Sequence, residues 1–204
     1  MDLMDLLKGQ LTPELLGQLS QQTGAAPEQT ATAAEGVLST LLGGLAKNAQ
    51  TPEGASGILG ALDRDHDGSI LNDVMGMIMG GGQQAAAPSA MNGAGILGHI
   101  LGGQQQGAAQ VISQASGVNQ SGVADMMIKL APLVMGVLGQ QKQQQGFDAS
   151  GLAGLLGGSV QQAKSTNPLM QMATQFLDKD GDGSMVDDLM GMVGSKVLGG
   201  FFKK

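Results

Sequence analysis

The sequence predicts an all-α protein built from two related multi-helix modules, each with a D-x-D-x-D-G-S loop between helices. Three observations carry that expectation. Blocks of residues repeat along the chain. Pro, Gly, Ser, Thr and Asn stand where helices start and stop, and no run alternates with period two through β-branched residues. The two acidic loops fall at matching points of the repeat.

The repeat sets the organisation. Ser20-Gln21-Gln22-Thr23-Gly24 matches Ser113-Gln114-Ala115-Ser116-Gly117, and Leu42-Gly43-Gly44-Leu45 matches Met135-Gly136-Val137-Leu138, each 93 residues on. Farther along, Asp73-Val74-Met75-Gly76-Met77-Ile78 matches Asp188-Leu189-Met190-Gly191-Met192-Val193, now 115 residues on. The change of offset assigns an insertion to the second copy, at Gly146–Ser165. The first module covers residues 1–80 and the second 95–204. Residues 81–94, rich in Gly, Ala and Gln around Pro88, read as a flexible linker.

The helices follow from their punctuation. Pro13–Gln22 reads as a helix closed by Gly24 in a left-handed cap. Pro27–Ala49 is a long helix with proline in its first turn, where a missing N–H costs nothing. Thr51-Pro52-Glu53 has the N-cap-then-proline form and starts a short helix that reaches Leu62. Asn167-Pro168 starts the equivalent helix into Leu177. In the second long helix, Pro132 is expected to break or kink the chain, since it removes one hydrogen bond and crowds the preceding turn. Gly43, Gly44, Gly76, Gly136, Gly191 and Gly194 fall inside helices, each at about 1 kcal/mol against alanine. Helices that glycine-rich depend on packing, metal or a partner. The same glycines fit tight helix pairs or simply a loose fold.

Composition narrows the function classes. The 204 residues contain no Cys, which excludes disulfides, thiolate metal sites and a cysteine nucleophile. Trp and Tyr are absent, so Leu, Ile, Val, Ala, 14 Met and 4 Phe must build the core. The net charge is −7, and it is local. Residues 63–73 hold four Asp and one Arg, residues 178–188 five Asp and one Lys, and the remainder is neutral. Like charges that close repel, so a cation is the natural counterpart. One Arg and scattered Lys make a nucleic-acid partner an unfavourable expectation, because phosphate contacts need clustered positive charge. Met1–Lys8 has two Asp and lacks the basic and apolar regions of a signal peptide. The apolar runs Val74–Met79 and Leu130–Leu138 fall short of the roughly 18 residues of a membrane span. A cytoplasmic location without a membrane span is therefore expected, with export by another route left open.

Both loops have the spacing of a calcium site. Calcium takes six to eight oxygens, and carboxylates at positions 1, 3 and 5 converge when the chain curls round the ion. Those positions are Asp63, Asp65 and Asp67 in one loop and Asp178, Asp180 and Asp182 in the other. Gly68 and Gly183 permit the sharp turn at position 6, and Ser69 and Ser184 offer backbone carbonyls at position 7. A standard EF-hand loop closes with Glu at position 12, where this chain has Val74 and Leu189. Asp73 and Asp188, one place earlier, are expected to close shortened, EF-hand-like loops. Asn72 and Asp187 are candidate indirect ligands. The expected cofactor is Ca2+, two per chain, with magnesium the weaker competitor. An aspartate-rich capping turn is the plain alternative.

No other chemistry is visible. His66, at loop position 4, reads as a bystander, and His99 as a packed or capping residue on an apolar helix. No Ser-His-Asp set, phosphate loop or zinc spacing appears, so no enzyme is expected. Met75, Met77, Met79, Met190 and Met192 follow the loops. They fit core filling, or the adaptable groove of a calcium sensor.

Four segments together resemble a known family. They are Ser20–Gly24, Gly95–Gly102 (G-I-L-G-H-I-L-G), Ala131–Gly139 (A-P-L-V-M-G-V-L-G) and the loop Asp178–Asp188. The chain is similar in these to the YidB-like bacterial family of unknown function. The resemblance implies a helical, homeodomain-like module, with calcium-type loops in longer members, and no catalytic residue. The first copy departs from it in Arg64-Asp65-His66 and in Thr40, near where Pro132 stands in the second. The leading expectation is a calcium-binding, self-associating structural or interaction protein, with Met/Gly-rich helices as the surface for a partner. A homeodomain-like DNA-binding protein and a calcium buffer or sensor are the alternatives. A metal hydrolase is disfavoured, because the aspartates are committed to coordination.

Overall fold

The computed structural model describes residues 3–65 and 92–177, and these are helical nearly throughout, with no strand among them. The helices are α1 (Leu3–Gln10), α2 (Pro13–Thr23), α3 (Pro27–Asn48), α4 (Pro52–Asp65), α5 (Gly93–Leu101), α6 (Gln105–Ser116), α7 (Gln120–Gln145), α8 (Ala149–Thr166) and α9 (Pro168–Leu177). A short 3-10 turn, Gly102–Gln104, joins α5 to α6. The starts at Pro13, Pro27, Pro52 and Pro168 are those expected. α1 was not foreseen, α5 begins at Gly93, inside the span read as linker, and the span read as an insertion contains α8.

Threonine hydroxyls set two of these starts. The Thr12 hydroxyl accepts from the Leu15 N–H at 3.3 Å, and the Thr51 hydroxyl from the Gly54 N–H at 3.1 Å. Gly54 has to be glycine, since a Cβ there would lie 2.0 Å from the Asn48 carbonyl oxygen.

The turns α2–α3 and α6–α7 share one set of hydrogen bonds. Gly24 at φ +67° and Gly117 at φ +78° close their helices in the left-handed region, each N–H donating to the carbonyl four residues back, Ser20 or Ser113. The Ser20 hydroxyl donates to the Ala25 carbonyl at 2.7 Å, and Ser113 to the Val118 carbonyl at 2.6 Å. Thr23 donates to Leu19 at 2.8 Å, and Ser116 to Ile112 at 2.7 Å. Thus the S-x-x-[TS]-G pattern is a working turn. Two hydroxyls and one left-handed glycine satisfy the exposed end of the first helix and aim the second.

Packing between the halves is reciprocal. α3 meets α7, α2 touches α7 as α6 touches α3, and α1 and α5 each meet both long helices. α4 leaves α3 to pack on α7, and α9 packs on α3. One hydrophobic core results, running from Leu3 through Leu38, Leu41 and Leu42 to Met126, Leu130, Leu133 and Met170. α8 packs on α1, α3, α4 and α9.

α3 and α7 lie at the centre. Every residue of Gly36–Ala46 and of Leu130–Gly139 is buried. A helix apolar all round belongs inside a core. α7 has the length and composition of a membrane span, beyond what its interrupted sequence suggested, but 78% of its apolar window is buried inside the protein.

Glycine admits the neighbours of these helices. A Cβ on Gly44 would lie 2.7 Å from Ile100 Cγ2, and one on Gly36 3.2 Å from Ile112 Cγ2. The tight-packing reading of the helix glycines therefore holds at Gly44, and Gly36, which the sequence did not single out, packs in the same way.

Pro132 does not break α7, which runs unbroken from Gln120 to Gln145. Proline deprives the Ile128 carbonyl of its helical N–H. Gly93, at the start of α5, lies against that carbonyl, where a Cβ would stand 1.8 Å from the oxygen. Only a glycine, with no side chain, can come this close to the freed oxygen. Tertiary packing thus absorbs the defect. In the first half the register position of Pro132 is Ser39, beside the expected Thr40, and the Thr40 hydroxyl donates back to the Gly36 carbonyl at 2.9 Å.

Candidate functional site

Each acidic segment adjoins a helix that packs on a distant part of the chain, the first beginning inside α4. α4 buries Ala55, Ile58 and Leu62, spaced along one face, and this carries its C-terminal end beside the last turns of α7. α9 buries Met170 and Ala173 against α3 and α8, and its first turn is capped by the Asn167 side-chain oxygen, which accepts from the Leu169 N–H at 2.9 Å. α9 is described as far as Leu177, and Asp178, where the second acidic segment begins, lies outside the described residues.

Asp63 is the one predicted ligand whose side chain is described. It is exposed and forms an ion pair with Lys142 of α7. The α4 backbone stays helical through Asp65, past the expected end at Leu62. Asp67, Ser69, Asp73, Asp178, Asp180, Asp182, Ser184 and Asp188 lie outside the described residues. So do His66, Asn72, Asp187 and the methionines after each loop. Among the described residues no three His, Cys, Asp or Glu side chains converge.

As a donor set, carboxylates and carbonyl oxygens suit a hard cation such as calcium. The described backbone at the start of the first loop does not yet curl.

Sequence reasoning missed Lys142. It sits in a glutamine run and meets Asp63 across 79 residues, a separation at which no local pattern signals a contact. His99 is exposed in the last turn of α5 and is not packed as expected, although a cation-capable side chain suits that helix end. The Asn48 amide, not His99, caps α5, donating to the His99 and Ile100 carbonyls at 3.1 and 3.0 Å. A cavity of about 500 Å³ opens beside this contact, between α4 and α5, with Ile58 and Ile96 in its lining.

Residues 5–141 match a family described as bacterial protein of unknown function (DUF937). The chain belongs to that family. The DUF937 match takes in α2–α3, α4, the first acidic loop and α6–α7 almost to its end, and stops before α8, α9 and the second loop. No curated protein and no solved structure matches this DUF937 member.

Proposed function

We propose that this protein binds two calcium ions, one in each of the loops 63–73 and 178–188, and works as a self-associating structural or interaction protein. The supporting observation is the repeated D-x-D-x-D-G-S pattern, the first copy beginning in the last turn of α4, which packs on α7, and the second adjoining α9, which packs on α3. The finer kinship is to the YidB-like group, with two modules each closed by an EF-hand-like loop. Asp73 and Asp188 complete the shells. In the cytoplasm, where we place it, such sites need affinities in the sensor range of roughly 10⁻⁷ to 10⁻⁵ M.

Charge gives calcium its leverage. Two divalent ions change the net charge from −7 to −3 and remove the repulsion inside each loop and between chains. Binding to the native state alone stabilises by about 2.7 kcal/mol per site at a hundredfold excess over Kd. The fold has a reason to respond, because α4 and α9, which lead into the loops, also pack across to the other half.

The helix–turn–helix geometry of α2–α3 and α6–α7 is the observation in favour of DNA binding. Against it, the second helix of each pair is buried along most of its length, and the chain has one Arg and no clustered positive charge for phosphates.

Calorimetry with calcium chloride tests the proposal. Two ions should bind the intact chain, Asp65→Ala and Asp180→Ala should each remove one, and light scattering should show larger species with calcium than with chelator. Unchanged stoichiometry in both variants rejects the sites, and a monomer under both conditions rejects self-association.

A further inference from the structure

Asn92 is the one asparagine of the chain that is followed by glycine. Glycine has no side chain to shield its amide nitrogen. An Asn-Gly pair therefore favours attack of that nitrogen on the asparagine side-chain carbonyl carbon. The fold opposes this attack in three ways. Asn92 stands just before α5 with φ −76° and ψ 75°. That ψ puts the Gly93 nitrogen on the far side of the Cα–C bond from the Asn92 side chain, whereas closing the ring needs both on one side. The Asn92 side-chain oxygen accepts from the Gly95 N–H at 3.1 Å, and its backbone carbonyl from the Ile96 N–H at 2.9 Å, so both ends of the residue are tied to the first turn of α5. Gly93 is buried against the Ile128 carbonyl, with no room for a Cβ. Turning this peptide lifts the start of α5 off α7. Asn92 itself is exposed, so water reaches it once the turn opens.

We propose that Asn92–Gly93 is a deamidation site gated by the seating of α5 on α7, and that one of its two products holds the gate open. The Gly93 nitrogen gives its proton to solvent base and bonds to Asn92 Cγ. The bond from Cγ to the amide nitrogen breaks, and ammonia leaves. Water then opens the imide at either carbonyl, with no oxidation or reduction. Opening at Cγ leaves aspartate at position 92. Aspartate is a good N-cap, its charge suits a helix N-terminus, and the backbone is unchanged, so α5 reseats. Opening at the main-chain carbonyl leaves isoaspartate. The chain then runs through Cβ and Cγ, one carbon longer, and the capping side chain is gone. Gly93 can no longer meet Ile128 in register, and the start of α5 stays released. Each opening of this turn thus risks an irreversible loosening of a contact between the two halves of the protein.

The test is to age the full chain in mildly alkaline buffer and follow Asn92 by peptide mapping and tandem mass spectrometry. Loss of Asn92 should be about tenfold or more slower in the folded chain than in the same chain unfolded in guanidinium chloride, because the reaction waits for local opening. Asn48→Ala, which frees the other end of α5 and should keep its helicity by circular dichroism, should react faster than the parent. Amide exchange at residues 93–97 should quicken in the isoaspartate product and stay slow in Asn92→Asp, which stands for the other product. Equal rates folded and unfolded, or in Asn48→Ala and the parent, overturn the gate. No loss at Asn92 even in the unfolded chain overturns the site. Equal exchange in the isoaspartate product and in Asn92→Asp overturns the claim that one product holds the gate open.

Discussion

The turns α2–α3 and α6–α7 make the same bonds through their glycine and hydroxyls but cap the following helix in opposite ways. In the first, Gln29 reaches back and its side-chain oxygen accepts from the Ala26 N–H at 3.1 Å. In the second, Asn119 reaches forward and accepts from the Gly122 N–H at 2.8 Å. These are the two halves of a capping box, divided between two turns. The reason lies where the turns meet. A Cβ on Gly122 would come 2.9 Å from Thr23 Cγ2, so the second turn has no room for a long residue at that position. The Gln29 amide nitrogen lies 2.6 Å from where a Cβ on Gly117 would be, so that glycine makes room for the glutamine. Asn119 also donates to the Thr23 carbonyl at 3.2 Å, tying turn to turn. Similar local sequences thus diverge because each is the other's environment.

The largest break in this near-symmetry should come from Gly93→Ala. The α5–α7 contact holds the Ile128 carbonyl, whereas α1 lies on α3 with a Lys8–Glu35 ion pair at 3.4 Å. A backbone oxygen cannot move aside as a side-chain end can, so a methyl there should cost about 3 kcal/mol. Urea unfolding would read this as a lower midpoint with an unchanged slope. A loss below about 1 kcal/mol would show that α5 is not seated on Ile128.

A smaller effect is expected at the second turn. Asn119→Ala removes the helix cap and the link to Thr23, and should cost about 1.5 kcal/mol in a thermal melt. If the loss instead equals that of an exposed surface change, Asn119 is not the cap that distinguishes the two turns. The smallest change has the opposite sign. Ala26 holds extended dihedrals, φ −62° and ψ 151°, suited to a capping side chain. Ala26→Asn should complete the box with Gln29 and raise stability by about 0.5 to 1 kcal/mol, read from the same melts.

Legibility followed distance along the chain. The prolines, Gly24, and the Ser/Thr residues before each glycine specify bonds that close within four or five residues, and the helix starts expected from them stand in the structure. The start of α5 and the whole of α8 were harder to read. Gly93 stands in a span whose composition suits a linker, and α8 in one read as an insertion, and both are helical where they pack on α7 and α3. Of the acidic loops, the spacing of aspartates was plain in the sequence, while the Lys142 partner of Asp63 was not.

What the sequence determined by itself is therefore the all-α class, the punctuation of most helices and two aspartate clusters carrying the whole net charge. Short-range sterics and hydrogen bonding suffice for these, since a left-handed glycine or an N-cap acts inside one turn. Tertiary structure decided that Pro132 passes through the core within one helix, that α4 and α9 pack on the opposite half, and that Asp63 meets Lys142. Each depends on a second surface brought from far along the chain: Gly93 against Ile128, the long helices under α4 and α9, and a lysine 79 residues from its aspartate. A local pattern carries no information about the partner until the core brings the two together.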